Sequence, residues 1–86
     1  MVRVKTSCGF EMDADPNIFN DMELFDAIAD VEKGHMIRLP DVVDKIAGPG
    51  KKDLYDLLRN EDGRVPVDKV QEQILEIINQ VKGKNT

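Results

Sequence analysis

Between Val67 and Val81 the apolar positions recur at helical spacing. At about 100° per residue, Val67, Val70, Ile74, Ile77, Ile78 and Val81 fall within one arc roughly 100° wide, with Leu75 just outside it. Asp68, Lys69, Glu72, Gln73, Glu76, Asn79 and Gln80 take the other side. The pattern predicts an amphipathic helix over 67–82. Each side chain of its apolar face is worth about 1.5–3 kcal/mol if fully buried, so the rest of the chain must cover that face.

The N-terminal end has a different period. Val2, Val4 and Thr6 alternate with Arg3, Lys5 and Ser7, and Phe10, Met12 and Ala14 alternate with Glu11, Asp13 and Asp15. With Cys8-Gly9 as the break, this predicts a β-hairpin over 1–15, the basic side chains of one strand facing the acids of the other. Two strands alone are marginal in water, so the hairpin must lie on helices.

A second helix is predicted over 21–33, with Asn20 or Asp21 as N-cap and Gly34 at the C-terminal stop. Met22, Phe25 and Ala29 form one apolar ridge; Leu24, Ala27, Ile28 and Val31 form another. Glu23, Asp26, Asp30 and Lys33 fill a polar stripe only about 80° wide. Such a helix is either central in the fold or keeps one ridge for a partner.

Residues 35–39 read as a connector, and Pro40 as the first position of a short helix over 40–47 carrying Val42, Val43 and Ile46. Gly48-Pro49-Gly50 is a break. A helix over 51–59 follows, with Leu54, Leu57 and Leu58 inward and Tyr55 at the edge. Asn60-Glu61-Asp62-Gly63 makes a turn, and residues 83–86 a frayed tail. The expected architecture is one α+β domain, mostly helical: an N-terminal β-hairpin packed on about four short helices, the last forming the floor of the core.

Charge narrows the functions open to such a domain. Seventeen acids against twelve bases leave a net charge of −5 in 86 residues, which argues against duplex DNA and against anionic lipid. No run approaches the ~20 apolar residues of a membrane span. Cys8 is the one cysteine, which excludes an internal disulfide and a cysteine-based zinc site. A free thiol and an N-terminus without a signal-peptide core lead to an expectation of cytoplasmic location.

Candidate chemistry is sparse. Asn60, Asp62, Gly63 and Val65 stand at the spacing of a calcium loop, but Leu58 and Lys69 occupy the places where its acidic first and last ligands belong. A helix-to-helix corner with Gly63 at positive φ is the better reading. Asp13, Asp15 and Asn17 fail the same test, with Ile18 where glycine is needed. The helices flanking Gly48-Pro49-Gly50 have the size of a DNA-reading pair, and Lys51 and Lys52 could reach phosphate; Asp53 and Asp56 on the same helix oppose it. Cys8 with His35 is the one conceivable nucleophile–base pair, and nothing in sequence orients either. No enzyme activity, cofactor or metal is expected.

Four stretches in order resemble the tail assembly chaperones of long non-contractile-tailed bacteriophages and prophages, in particular the small forms of Gram-positive hosts. They are Gly9-Phe10-Glu11; Met22-Glu23-Leu24-Phe25-Asp26-Ala27-Ile28-Ala29 with the break at Lys33-Gly34; Leu39-Pro40-Asp41-Val42-Val43; and Leu57 through Val67. Met22 and His35 stand where that family often carries a tryptophan and an acidic residue.

The resemblance implies a non-catalytic protein of the host cytoplasm, absent from the mature virion. Its partner would be the hydrophobic, helical tape-measure protein, which it would keep soluble. A frameshifted longer form would bring in the tail-tube protein. Leu24, Ile28 and Val31 are the partner-binding residues it suggests, and a doubly apolar helix also fits a homo-oligomer. The alternative is another small phage or bacterial adaptor domain without enzymatic activity, using the same helix.

Overall fold

The computed structural model describes residues 1–84. It is α+β and mostly helical: a two-stranded antiparallel hairpin, β1 (Val2–Lys5) and β2 (Glu11–Ala14), followed by α1 (Met22–Glu32), α2 (Leu39–Ala47), α3 (Lys51–Leu58) and α4 (Val67–Lys84). Short 3-10 turns at Pro16–Phe19, Met36–Arg38 and Gly48–Gly50 join them.

The hairpin register sets Val2 opposite Ala14, Arg3 opposite Asp13, Val4 opposite Met12 and Lys5 opposite Glu11. Val4, Thr6, Phe10 and Ala14 therefore point inward and are buried. On the outer face the guanidinium of Arg3 reaches Glu11 at 3.3 Å and Asp13 at 3.2 Å, the cross-strand pairing that the alternation implied.

Asp21 caps α1, its carboxylate accepting from the backbone N–H of Glu23 at 2.9 Å and of Leu24 at 3.4 Å. At the other end His35 N–H donates to Asp30 O and Gly34 N–H to Val31 O. That paired closure needs a left-handed residue, and Gly34 has φ 95°. The residues after it are not a loose connector. Met36–Arg38 form a 3-10 turn that runs directly into α2 at Leu39, one residue before the expected start.

α2 is the most buried of the short helices, with Leu39, Val42, Val43, Ile46 and Ala47 all inside. The glycine–proline break turns the chain but does not interrupt helical winding for long; a 3-10 turn spans Gly48–Gly50 and α3 begins at Lys51. In α3 Leu54 is fully buried and Leu58 half-buried, but Leu57, expected inward, is 50% exposed. With eight residues α3 is too short to cover more than one column of side chains, and Leu54 occupies it.

The corner before α4 is built by Asn60. Its side-chain oxygen accepts from the N–H groups of Asp62 (3.0 Å) and Arg64 (3.1 Å), and Gly63 sits at φ 81°. The helix-to-helix corner expected there is present, and the Asn60 oxygen that a calcium loop would use is engaged by backbone donors.

α4 runs through Lys84, two residues beyond the expected end at 82; Asn85 and Thr86, the rest of the expected frayed tail, lie outside the described residues. Val70, Ile74, Ile77, Ile78 and Val81 are buried as their spacing requires. Val67, assigned to the same face, is 56% exposed at the first position of the helix.

Gln73 departs from its periodicity. Placed on the solvated side by the apolar pattern, it is only 5% exposed. The hairpin packs on that flank, and Gln73, Glu76 and Gln80 face it as one stripe. Ser7 donates its hydroxyl (2.6 Å) and its backbone N–H (2.9 Å) to the two carboxylate oxygens of Glu76, and Gln73 donates to the Ser7 hydroxyl at 3.0 Å. The Gln80 amide pairs reciprocally with Lys5, donating to its carbonyl at 2.7 Å and accepting from its N–H at 3.1 Å. A side chain thus completes the open edge of β1.

Candidate partner-binding cleft

Three elements leave one apolar seam incompletely closed. Ile28 and Val31 on α1 face Ile74, Leu75 and Ile78 on α4 across a cleft floored by Leu39 and Val42 of α2, with Glu32 and Gln71 on its rim. α1 brings Ile28 and Val31 to the same side because they stand three apart on a helix. On α4, Leu75 lies beyond the buried arc, so it stands at the lip and is 50% exposed.

The cleft holds about 40 Å³, little more than the space of one water molecule. Small-molecule sites run to roughly 300–1,000 Å³, so this slot suits a side chain laid against its lips, not an enclosed ligand. A second apolar cleft, about 200 Å³, lies where Met36, Pro40, Tyr55, Val65, Val67 and Val70 meet; Leu39 lines both clefts.

Of the three residues expected to bind a partner, the structure brings Ile28 and Val31 to this cleft, both half-buried. Leu24 is not available. It is completely enclosed, among the largest fully buried side chains of the core. On α1 the exposed large apolar positions are instead Met22 (71%) and Phe25 (45%), both on the other ridge. Periodicity identifies two ridges on α1, but which one meets the core depends on where α2 lies.

Leu75 and the rim residues Glu32 and Gln71 are not singled out for binding by the sequence. Leu75 does leave a trace there, as the one apolar residue of α4 just off the buried arc. Ile37, in the 3-10 turn after α1, is 89% exposed, and nothing in the apolar pattern marks it.

The other candidate chemistries are arranged as follows. Cys8 sits in the hairpin turn with its Sγ 3.6 Å from the Thr6 hydroxyl. His35 Nδ1 lies 4.0 Å from Asp30 Oδ1. Lys51 and Lys52, the residues that would touch phosphate, are paired within the fold, to Asp44 at 2.7 Å and to Asp56 at 2.8 Å. The Lys52 and Arg59 donors hold the Asp56 carboxyl below its ordinary range. Among the described residues no helix is long and apolar enough to cross a membrane, and no group of three His, Cys, Asp or Glu side chains is gathered as for a metal ion.

Comparison with models of protein families, with curated protein sequences and with solved structures found no match.

Proposed function

We propose that this chain is a non-catalytic tail assembly chaperone of a long non-contractile-tailed phage or prophage, binding and solubilising the tape-measure protein in the host cytoplasm during tail morphogenesis. The observation that carries the reading is the open apolar cleft at Ile28, Val31 and Leu75, in a chain whose net charge is −5. A helical client with apolar rows needs a complementary slot on its chaperone, and a surplus of negative charge keeps the loaded complex dispersed. The four-stretch resemblance supplies the biological setting. On the same reading the tail-tube protein is met only by a longer, frameshifted form.

The test is co-purification of the full chain with fragments of a phage tape-measure protein. Leu75→Asp, at the exposed lip, should abolish capture while the helical circular dichroism and melting profile stay close to those of the parent; Ile28→Asp and Val31→Asp, half-buried against the core, should abolish capture and also lower the melting temperature. Capture that survives all three substitutions sinks the assignment of the cleft, and absence of capture by the parent sinks the chaperone reading. Leu24→Asp serves as a contrast, because a charge at that enclosed position unfolds the domain.

A further inference from the structure

The rim of the cleft carries information about what lies in it. Glu32 is the one charged residue lining the slot, it is exposed, and no ion pair or hydrogen bond to its carboxylate occurs among the described residues. Asp13, Asp21, Asp44 and Asp56 each meet a basic side chain within 3.3 Å, while Glu23, Asp26, Glu61 and Asp68 are, among the described residues, as unpaired as Glu32; what marks Glu32 is its place on the lining of the apolar cleft. Glu32 also sits in the last turn of α1, where the helix dipole disfavours a negative charge. A carboxylate held there without a partner, at the edge of apolar surface, is complementary to an incoming cation.

The second observation is that the two clefts lie in succession along α4. They share Leu39 and follow α4 from Val67 to Ile78. Val67 and Leu75, at their outer ends, stand eight residues apart, about 12 Å along the helix axis. Two turns of a docked helix cover nearly the same length, so side chains two turns apart on one partner helix reach both clefts.

We infer that the seam is a recognition site for an amphipathic helix carrying two apolar anchors two turns apart, with a lysine or arginine beside one anchor to meet Glu32. This rests on reading the cleft as the client-binding surface, and it names the chemistry of the segment that binds. One anchor is covered by Ile28, Val31 and Leu75 and the other by Met36, Tyr55 and Val67; the cation selects orientation, because Glu32 lines the first cleft and not the second. Apolar helices flanked by acids are rejected by the same carboxylate.

The test uses the full chain and fluorescein-labelled synthetic helical peptides in anisotropy titrations. All peptides carry two leucines two turns apart, and they differ in one flanking position: lysine, serine or glutamate. The lysine peptide should bind about tenfold tighter than the glutamate peptide at ~0.1 M salt, and the gap should close at ~1 M, where the screening length falls to ~3 Å. In Glu32→Gln, which retains the fold because the side chain is exposed, the gap should shrink to about twofold at either salt. Moving the second leucine to the opposite helix face should cost about tenfold.

A flat charge series, or an undiminished gap in Glu32→Gln, overturns the inference; so does failure of every peptide to bind. If the peptides bind in the expected pattern while tape-measure fragments are not captured, the chaperone assignment falls and the recognition chemistry stands. If such fragments are captured and the charge series is flat, the chaperone assignment stands and the recognition chemistry falls.

Discussion

Glu76 joins the hairpin to the longest helix through two donors from Ser7, and those donors hold its carboxyl below the ordinary glutamate value of 4.5. A carboxyl depressed in the folded state contributes stability that is fully present above its ordinary value and is lost as pH falls through the folded one. The hairpin should therefore loosen in acid, below about pH 4.5, and not in base. Thermal melts taken from neutral pH downward should show the melting temperature falling there, and Glu76→Gln should lose part of that dependence. The loss is partial because Asp21, held low by the hydrogen bond from Lys45, and Asp56 titrate in the same direction. A Glu76→Gln profile parallel to that of the parent refutes this role. Burial separates neighbours on α1 as sharply. Leu24→Ala should cost about 2–5 kcal/mol in urea unfolding because it opens a cavity in the core, whereas Phe25→Ser, at a site 45% exposed, should cost under ~1 kcal/mol.

At the scale of elements, the four helices and the hairpin were legible because each has its own period and its own punctuation: alternation at Val2–Ala14, a cap at Asp21, a stop at Gly34, a turn at Asn60–Gly63. What periodicity does not carry is which element covers which face. Gln73 and Gln80 look like solvated positions until the hairpin is laid against them; their amides then become the partners that Ser7 and the edge of β1 require. Leu24 and Phe25 are equally apolar in sequence, and only the position of α2 makes one enclosed and the other exposed. The candidate site was legible to the same extent. Ile28 and Val31 could be read from the surplus of apolar surface on α1, while Leu75 and Glu32 needed the crossing of α1 and α4 to give them meaning. The helical course of α4 through Gly83 carries its own expectation. A methyl group there meets nothing within 4 Å and the residue is not at positive φ, so Gly83→Ala should raise stability by a few tenths to about 1 kcal/mol. Gly63→Ala should lower it by about 1–2 kcal/mol, since the corner holds that residue at φ 81°. Denaturant midpoints of the two variants, moving in opposite directions, check both.

For the molecule as a whole, exposed apolar surface and charge act against each other. Met22, Phe25, Ile37, Leu57, Val67 and Leu75 are all at least 45% exposed in a domain of only 86 residues. Surface of that kind associates when nothing opposes it. At neutral pH a net charge of −5 opposes it, because copies brought together meet like charge before their apolar sides touch. The opposition vanishes at the isoelectric point near 4.7, where the Glu76 tie, with its carboxyl held below 4.5, is still largely in place. Self-association should therefore rise as pH is lowered from 7 towards 4.7 while the helical circular dichroism is unchanged, and sedimentation velocity reads this directly. Leu75→Asp should suppress the rise in two ways, by removing apolar surface at the cleft and by adding a negative charge. Leu57→Asp adds the same charge and removes an equally exposed leucine on α3, outside the cleft lining, so comparing the two isolates the place of the apolar surface. If Leu57→Asp suppresses association as fully as Leu75→Asp does, the cleft has no special part. If Leu75→Asp is the stronger, the seam between α1 and α4 is the adhesive surface of this fold, and an acidic exterior is what keeps copies of it apart at neutral pH.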